Sequence, residues 1–438
     1  MSLTGRPFLL CLLALAVAIP LAGARLWSHG NGWTKTLGRI GIIVTAQFAA
    51  VAVTAAAAND YGAFYPNWHD LYHAFRPQDG SNVASESRSF GAAPHAVPAL
   101  GAGGTGKAVL LGTGSGTVTT AEALRIVESF HPWGPADLYP TRGAVVNLDV
   151  PGENGGEAQD ILAYVPPSYF SGKPNDARLP VAEIITGYPG TPATVSTKLK
   201  AISDLQEDMA RGTVPPMALI ITRPAEPYPR DTECVDVPNG PQSAHYLAYD
   251  VPDYTASVLK LTVPVMGTIG YSTGGYCALK LAMQFPDRYL GAASMSGYYA
   301  AQPGPSSGSD IFGGDPMAKN EDDLIWRLDH LPVPDITVLL ATARDEHDPD
   351  GFEPAQQFLA HVHAPMQARE IIREHGGHNF NTWHDEMPEM IAWMGEQFSH
   401  LEQARSLRHG DRTDRVEENQ RNVHEAQTPV RTEEKKAT

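Results

Sequence analysis

The chain has 438 residues, 42% of them hydrophobic, and a formal net charge of −17 at pH 7. That length can hold one large domain with extra segments, and the acidic balance argues against a general nucleic-acid surface. The three cysteines, Cys11, Cys234 and Cys277, are too few for a disulfide scaffold and form no C-x-x-C pair, so zinc and thioredoxin readings fail.

Pro7–Ala24 is apolar and uncharged, and Ile40–Ala58 is a second apolar run with Gln47 as its notable polar member. Each is near the ~20 residues that span a bilayer core. Between them lie Arg25, Lys35 and Arg39 with Trp27 and Trp33 and no acid, the pattern of a cytoplasmic loop with interfacial aromatics. The expectation is a membrane hairpin over residues 1–58, with helices at about 7–24 and 40–58 and everything after Asn59 beyond the membrane. Two alternatives stand: Ala22-Gly23-Ala24 as the cleavage site of a signal peptide, or the alanine-rich second run as a buried helix.

Residues 59–120 read as an aromatic interface segment, Phe64-Tyr65-Pro66-Asn67-Trp68, followed by a Gly/Ala/Ser-rich tether that cannot bury a core. Gly101–Lys107 is not a phosphate loop, because Gly106-Lys107 is followed by Ala108 where Ser or Thr is required.

The folded domain is expected over residues 121–400. Gly143–Val150 and Asp160–Val165 read as a hairpin, and Leu179–Thr186 and Met217–Ile221 as buried strands. Lys198–Met209 and Asp253–Leu261 read as helices, Tyr289–Met295 and Ile336–Thr342 as strands. Phe352–Val362 follows as a helix, Ala368–Arg373 as a strand and Asp385–Phe398 as a final helix. Such alternation implies an α/β fold, a mostly parallel sheet with helices on both faces, and ligands bind at the carboxyl ends of such strands. The tail, 401–438, carries eight basic and eight acidic residues with no sustained apolar face, which is the composition of a disordered segment.

The chemistry centres on Gly270-Tyr271-Ser272-Thr273-Gly274, a G-x-S-x-G between a strand and a helix. A serine there sits on a sharp turn, and the helix behind it points N–H groups at developing negative charge. Serine needs a base, and the base an orienting acid. In the chain order Ser, acid, His, the base is expected at His378 in Gly376-Gly377-His378-Asn379, with His375 as competitor. The acid belongs after Ile336–Thr342, where Asp345, Glu346, Asp348 and Asp350 are all candidates; Glu346 is favoured, ahead of Asp345 and then Asp348. The expected oxyanion donors are the Thr273 amide and, since Pro189 has no N–H, the Tyr188 amide. His361 and His363, two apart, share no helix face for a metal. Neither H-E-x-x-H nor a G-x-G-x-x-G in strand-turn-helix context is present, so no metal and no cofactor is expected.

Gly270-Tyr271-Ser272-Thr273-Gly274-Gly275, the strand end Val165-Pro166-Pro167-Ser168-Tyr169 and Gly376-Gly377-His378-Asn379 together resemble the esterase D and antigen 85 branch of the α/β-hydrolases, over about Gly143 to Phe398. The aromatic segment 64–68, Asp231-Thr232-Glu233-Cys234-Val235-Asp236 and Trp383 resemble membrane-anchored actinobacterial esterases in particular. The resemblance implies Ser272 as nucleophile, His378 as base, an acid within Asp345–Asp348 with Glu346 best by offset, and the Tyr188 and Thr273 amides as oxyanion hole. The usual glycine before the acid is absent. With the hairpin topology, Cys234 and Cys277 face an oxidising compartment, and a disulfide between them is expected, two buried thiols being the alternative. The expected function is a membrane-anchored, extracytoplasmic serine esterase acting on small-molecule, lipid or glycan acyl esters. Alternatives are an acyltransferase acting on a sugar or envelope glycan, a non-catalytic binding module, and a protease or lipase with its own lid.

Overall fold

The two apolar runs near the N-terminus are helices, α1 (Arg6–Leu26) and α2 (Gly32–Gly62). The computed structural model describes residues 6–27, 32–62, 117–152, 159–174, 177–224, 230–304, 307–308, 310–344, 346 and 351–401. The Gly-rich tether, the polar tail beyond 401, Asp345, His347, Asp348 and Asp350 lie outside them. Within α1 and α2 the windows Phe8–Arg25 and Gly32–Ala57, of 18 and 26 residues, are long and apolar enough to cross a membrane, a test that a signal sequence also passes. The helices pack tightly at Gly23, where a Cβ would meet Ile42 Cγ2 at 2.3 Å. Small residues permit such backbone approach.

One expectation is corrected here. Trp33, Lys35 and Arg39 are not in a long loop but on α2, and the connection is only residues 28–31. No proline interrupts Gly32–Arg39, and the glycines cost a helix only about 1 kcal/mol each. Arg39 Nε donates to Trp27 O at 3.1 Å, so the basic side chain satisfies a carbonyl at the end of α1.

The rest is built on one eight-stranded sheet with the order β1-β2-β4-β3-β5-β6-β7-β8. β1 (Ala144–Val150) and β2 (Gln159–Val165) form the antiparallel hairpin, and β2 also runs antiparallel to β4 (Ala218–Thr222). All other pairs, through β3 (Val181–Ile185), β5 (Met266–Tyr271), β6 (Tyr289–Met295), β7 (Thr337–Ala343) and β8 (Gln367–Arg373), are parallel. Every residue of β3, β4 and β5 is buried, as expected of central parallel strands covered on both faces. One face is covered by α3 (Thr120–Glu128), α5 (Val251–Val258), α6 (Thr273–Gln284) and α7 (Phe352–His361). The other is covered by α4 (Ala201–Arg211) and α8, residues 380–401.

Strand and helix ends differ from expectation by a few residues. α7 stops at His361, so His363 lies beyond it, and α8 starts five residues before Asp385. Two short helices before β7, Pro316–Glu321 and Leu324–His330, are not visible as apolar periodicity. Each is started by an aspartate whose carboxylate accepts first-turn amides, Asp315 from Met317 and Asp323 from Ile325 and Trp326.

The chain steps from β3 outward to β4, then crosses back to β5 on the far side of β3. This reversal opens a crevice at the carboxyl ends of β3 and β5, where ligands bind in sheets of this kind.

Candidate active site

Ser272 follows β5 at that crevice. Its backbone has φ 56° and ψ −129°, a region an L-residue occupies only when its surroundings force it. The forcing is steric. A Cβ at Gly270 would lie 1.9 Å from Gly274 O, and one at Gly274 would lie 2.1 Å from Ile185 O, so strand, turn and helix close on one another only with glycine at both places. Thr273 begins α6, so its amide precedes the first intrahelical acceptor.

His378 follows β8. Asn379 Oδ1 accepts from Asn381 N at 3.0 Å and Thr382 N at 3.2 Å, which makes Asn379 the cap of α8. Gly377 N donates to Thr382 Oγ1 at 3.0 Å. The Gly-Gly-His-Asn run thus folds onto the helix start and fixes the imidazole, whose edge packs against Trp383 at 4.9 Å between centroids. His378 Nε2 lies 2.9 Å from Ser272 Oγ. His375, the competitor, is exposed.

Glu346 follows β7 and is 3% exposed. Its Oε1 lies 3.4 Å from His378 Nδ1, an ion-pair distance rather than a tight hydrogen bond. Its Oε2 accepts from Ser296 Oγ at 3.1 Å, and Trp383 Nε1 donates to Ser296 Oγ at 3.1 Å. Asp345 and Asp348 fall outside the described residues, so Glu346 is the candidate acid whose placement is known. Behind it sits Glu386, fully buried on α8, with Arg373 Nε 3.4 Å away. Burial pushes the Glu386 carboxyl up to about 8; the Arg373 charge opposes this and the Glu346 charge adds to it.

Gly187, after β3, completes the cluster. A Cβ there would lie 3.0 Å from Ser272 Cβ, so the loop carrying Tyr188 runs directly against the serine. Cys234 and Cys277 are joined, with Cα atoms 5.9 Å apart. The disulfide ties the loop after β4 to α6 one turn behind Ser272. Ser296 and Glu386 were not singled out from sequence. The signal for Ser296 was its position, immediately after a parallel strand at the ligand-binding edge; Glu386, on the apolar face of a helix, had none.

Ser272, His378 and Glu346 thus come together in the chain order Ser, acid, His from the ends of β5, β8 and β7. A family model described as Putative esterase matches residues 156–394, more than half of the chain. The chain belongs to this esterase family. Its sheet is that of an α/β-hydrolase fold, and the protein is an enzyme of the esterase type. Among solved structures, it is similar to S-formylglutathione hydrolase of Agrobacterium tumefaciens, with 16% identity over 59% of this chain and 96% of that one and a TM-score of 0.49. It is also similar to the fluorophosphonate-binding serine hydrolase F of Staphylococcus aureus, with 18% identity, 58% and 98% coverage and a TM-score of 0.47. MPT51 (FbpC1) of Mycobacterium tuberculosis shows 15% identity, 58% and 98% coverage and a TM-score of 0.42. No curated protein matches the chain.

Proposed function

We propose that this esterase is a membrane-anchored, extracytoplasmic enzyme that cleaves acyl esters through a Ser272–His378–Glu346 triad and an acyl-enzyme. The observation that carries this is the 2.9 Å approach of His378 Nε2 to Ser272 Oγ, with Glu346 on the other ring nitrogen. His378 takes the Ser272 proton as Oγ attacks the ester carbonyl, and Glu346 stabilises the imidazolium that forms. The oxyanion is held by the Thr273 and Tyr188 amides, each worth roughly 3 kcal/mol in such sites. Collapse of the tetrahedral intermediate breaks the ester C–O bond, and His378 returns the proton to the leaving alkoxide. A second acceptor, water in the esterase reading, then repeats the sequence on the acyl-enzyme.

A p-nitrophenyl ester mixed rapidly with the full chain in detergent tests the scheme. The expected trace is a burst of nitrophenolate stoichiometric with active sites, followed by slower turnover. Added alcohols or sugars that raise the turnover rate and yield new esters would favour transfer; unchanged rates would favour hydrolysis.

The membrane part of the proposal is supported by α1 and α2 and by the basic residues Arg25, Lys35 and Arg39 grouped at their joined ends. A single cysteine at His29, in a chain without the exposed Cys11, should react with an impermeant maleimide only after the membrane is opened. Reaction on intact cells would contradict the hairpin.

A further inference from the structure

Helix α6 presents a second face that the triad does not use. Thr273, Tyr276, Cys277 and Lys280 stand at i, i+3, i+4 and i+7, and all four are buried. Cys277 and Lys280 meet the turn at residues 231–235. That turn is held by the Cys234–Cys277 disulfide, by Lys280 Nζ donating to Cys234 O at 2.8 Å, and by Glu233 N donating to Asp231 Oδ1 at 3.1 Å. Glu233 and Cys234 have φ of 54° and 52°, two successive non-glycine residues in the left-handed region. Such geometry is sparsely populated by L-residues and persists only where the surroundings over-determine it.

What the turn holds in place is the Glu233 carboxylate, 3% exposed, which accepts a hydrogen bond from the Tyr298 hydroxyl. Tyr298 comes from the loop after β6, and its ring is stacked on Tyr276 at 4.9 Å and 21°. Tyr276 is itself anchored through its hydroxyl to Asp322 O at 2.9 Å. The route from the disulfide through Glu233 and Tyr298 to Tyr276, in the first turn of α6, is therefore continuous and buried.

We infer that Glu233 and Tyr298 are positioning residues for acyl transfer: through the series Glu233–Tyr298–Tyr276, the disulfide-clamped turn fixes the first turn of α6 and with it the direction of the Thr273 amide at the oxyanion. This inference rests on the Ser272 reading above. Thr273 is the first residue of α6, and no intrahelical carbonyl aligns its N–H. Tyr276 N donates to Ser272 O at 3.2 Å, so holding Tyr276 holds the turn that carries the Thr273 amide. Oxyanion stabilisation depends on donors already aimed before charge develops.

The relay also has a pH dependence. Burial, reinforced by the Asp231 charge, pushes the Glu233 carboxyl up to about 7, against the Tyr298 hydrogen bond, the Gln302 backbone hydrogen bond and the Lys280 charge. Lys280 is itself ion-paired with Asp322. The ionised carboxylate is the stronger acceptor, so the relay tightens as pH rises through that value.

The test is kcat and KM on a p-nitrophenyl ester, on either side of pH 7, for the full chain and for Tyr298→Phe and Glu233→Gln, with thermal melts and fluorophosphonate labelling of each. Tyr298→Phe should lower kcat about tenfold, less than the ~100-fold or more seen when an oxyanion donor is removed outright, with KM nearly unchanged. Glu233→Gln leaves Tyr298 a neutral acceptor. The kcat ratio of wild type to this variant should therefore stay flat below pH 7 and rise above it. Wild-type kcat in Tyr298→Phe, a loss confined to KM, or a ratio constant with pH would overturn the relay. If Tyr298→Phe does not fold, the pH dependence of the Glu233→Gln ratio decides alone. A folded wild type that takes no fluorophosphonate would instead overturn the Ser272 reading itself.

Discussion

His378 Nε2 lies 2.9 Å from Ser272 Oγ although the two residues are 106 positions apart in the chain. The contact exists because β5 and β8 end on the same edge of the sheet, and Glu346, from the end of β7 between them in chain order, reaches the opposite ring nitrogen. If Glu346 holds the imidazole, Glu346→Gln should fold normally and lower kcat by about 10⁴-fold with little change in KM. Steady-state kinetics on a p-nitrophenyl ester checks this. A loss of less than about tenfold would move the acid role to Asp345 or Asp348.

The glycines around the site separate sterically into two classes. At Gly187 a methyl group would stand 3.0 Å from Ser272 Cβ and from Tyr271, whereas at Gly270 it would stand 1.9 Å from a backbone oxygen. Gly187→Ala should therefore fold, while displacing the Tyr188 loop enough to lower kcat by roughly 10- to 100-fold. Gly270→Ala should give no cooperatively folded protein. Circular-dichroism melts beside kinetics distinguish the two, and an unperturbed Gly270→Ala melt would contradict the turn geometry.

The disulfide spans 43 positions. In the chain-entropy account a loop of that size gives about 4 kcal/mol, an upper figure because strain and unfolded-state structure reduce it. Replacing both cysteines by alanine should lower stability by about 2–4 kcal/mol in urea melts. Alkylation without reductant followed by intact mass should find Cys11 alone modified, and modification of all three thiols in the native protein would end the pairing.

Glu183, on the central strand β3, is fully buried and accepts from Tyr289 at 2.7 Å. Burial pushes its carboxyl from 4.5 up to about 8, opposed by that hydrogen bond and by the Arg288 charge. The folded value lies above the unfolded one, so its stabilising contribution is full below pH 4.5 and is lost as pH rises through about 8. Glu183→Gln cannot ionise. Its Tm relative to wild type should rise from about pH 4 to about pH 9, and a difference constant with pH would contradict the assignment.

The central strands and the nucleophile turn were legible because their signals are local. Val263, Val265, Met266 and Ile269 lead directly into Gly-x-Ser-x-Gly, the pattern of a buried strand entering a nucleophile turn. His378 was legible from two glycines followed by a cap residue. The acid was favoured at Glu346 but not fixed, since Asp345, Glu346, Asp348 and Asp350 stand within six positions and spacing alone does not choose; burial against Ser296 is a tertiary fact. Tyr298 and Glu233 were opaque for the same reason. Their roles arise from a hydrogen bond across 65 positions and from a turn whose left-handed backbone no residue type there announces. The basic residues after α1 were misplaced into a loop because charge marks a membrane boundary but does not end a helix.

The central claim is that Ser272 is an activated nucleophile. Labelling of the full chain by a fluorophosphonate probe, with Ser272→Ala and His378→Ala beside it, tests it most directly. The account predicts covalent labelling of wild type at one site, located by peptide mass at Ser272, and its loss in both variants. A folded wild type that does not label, or a Ser272→Ala variant that still does, would contradict it.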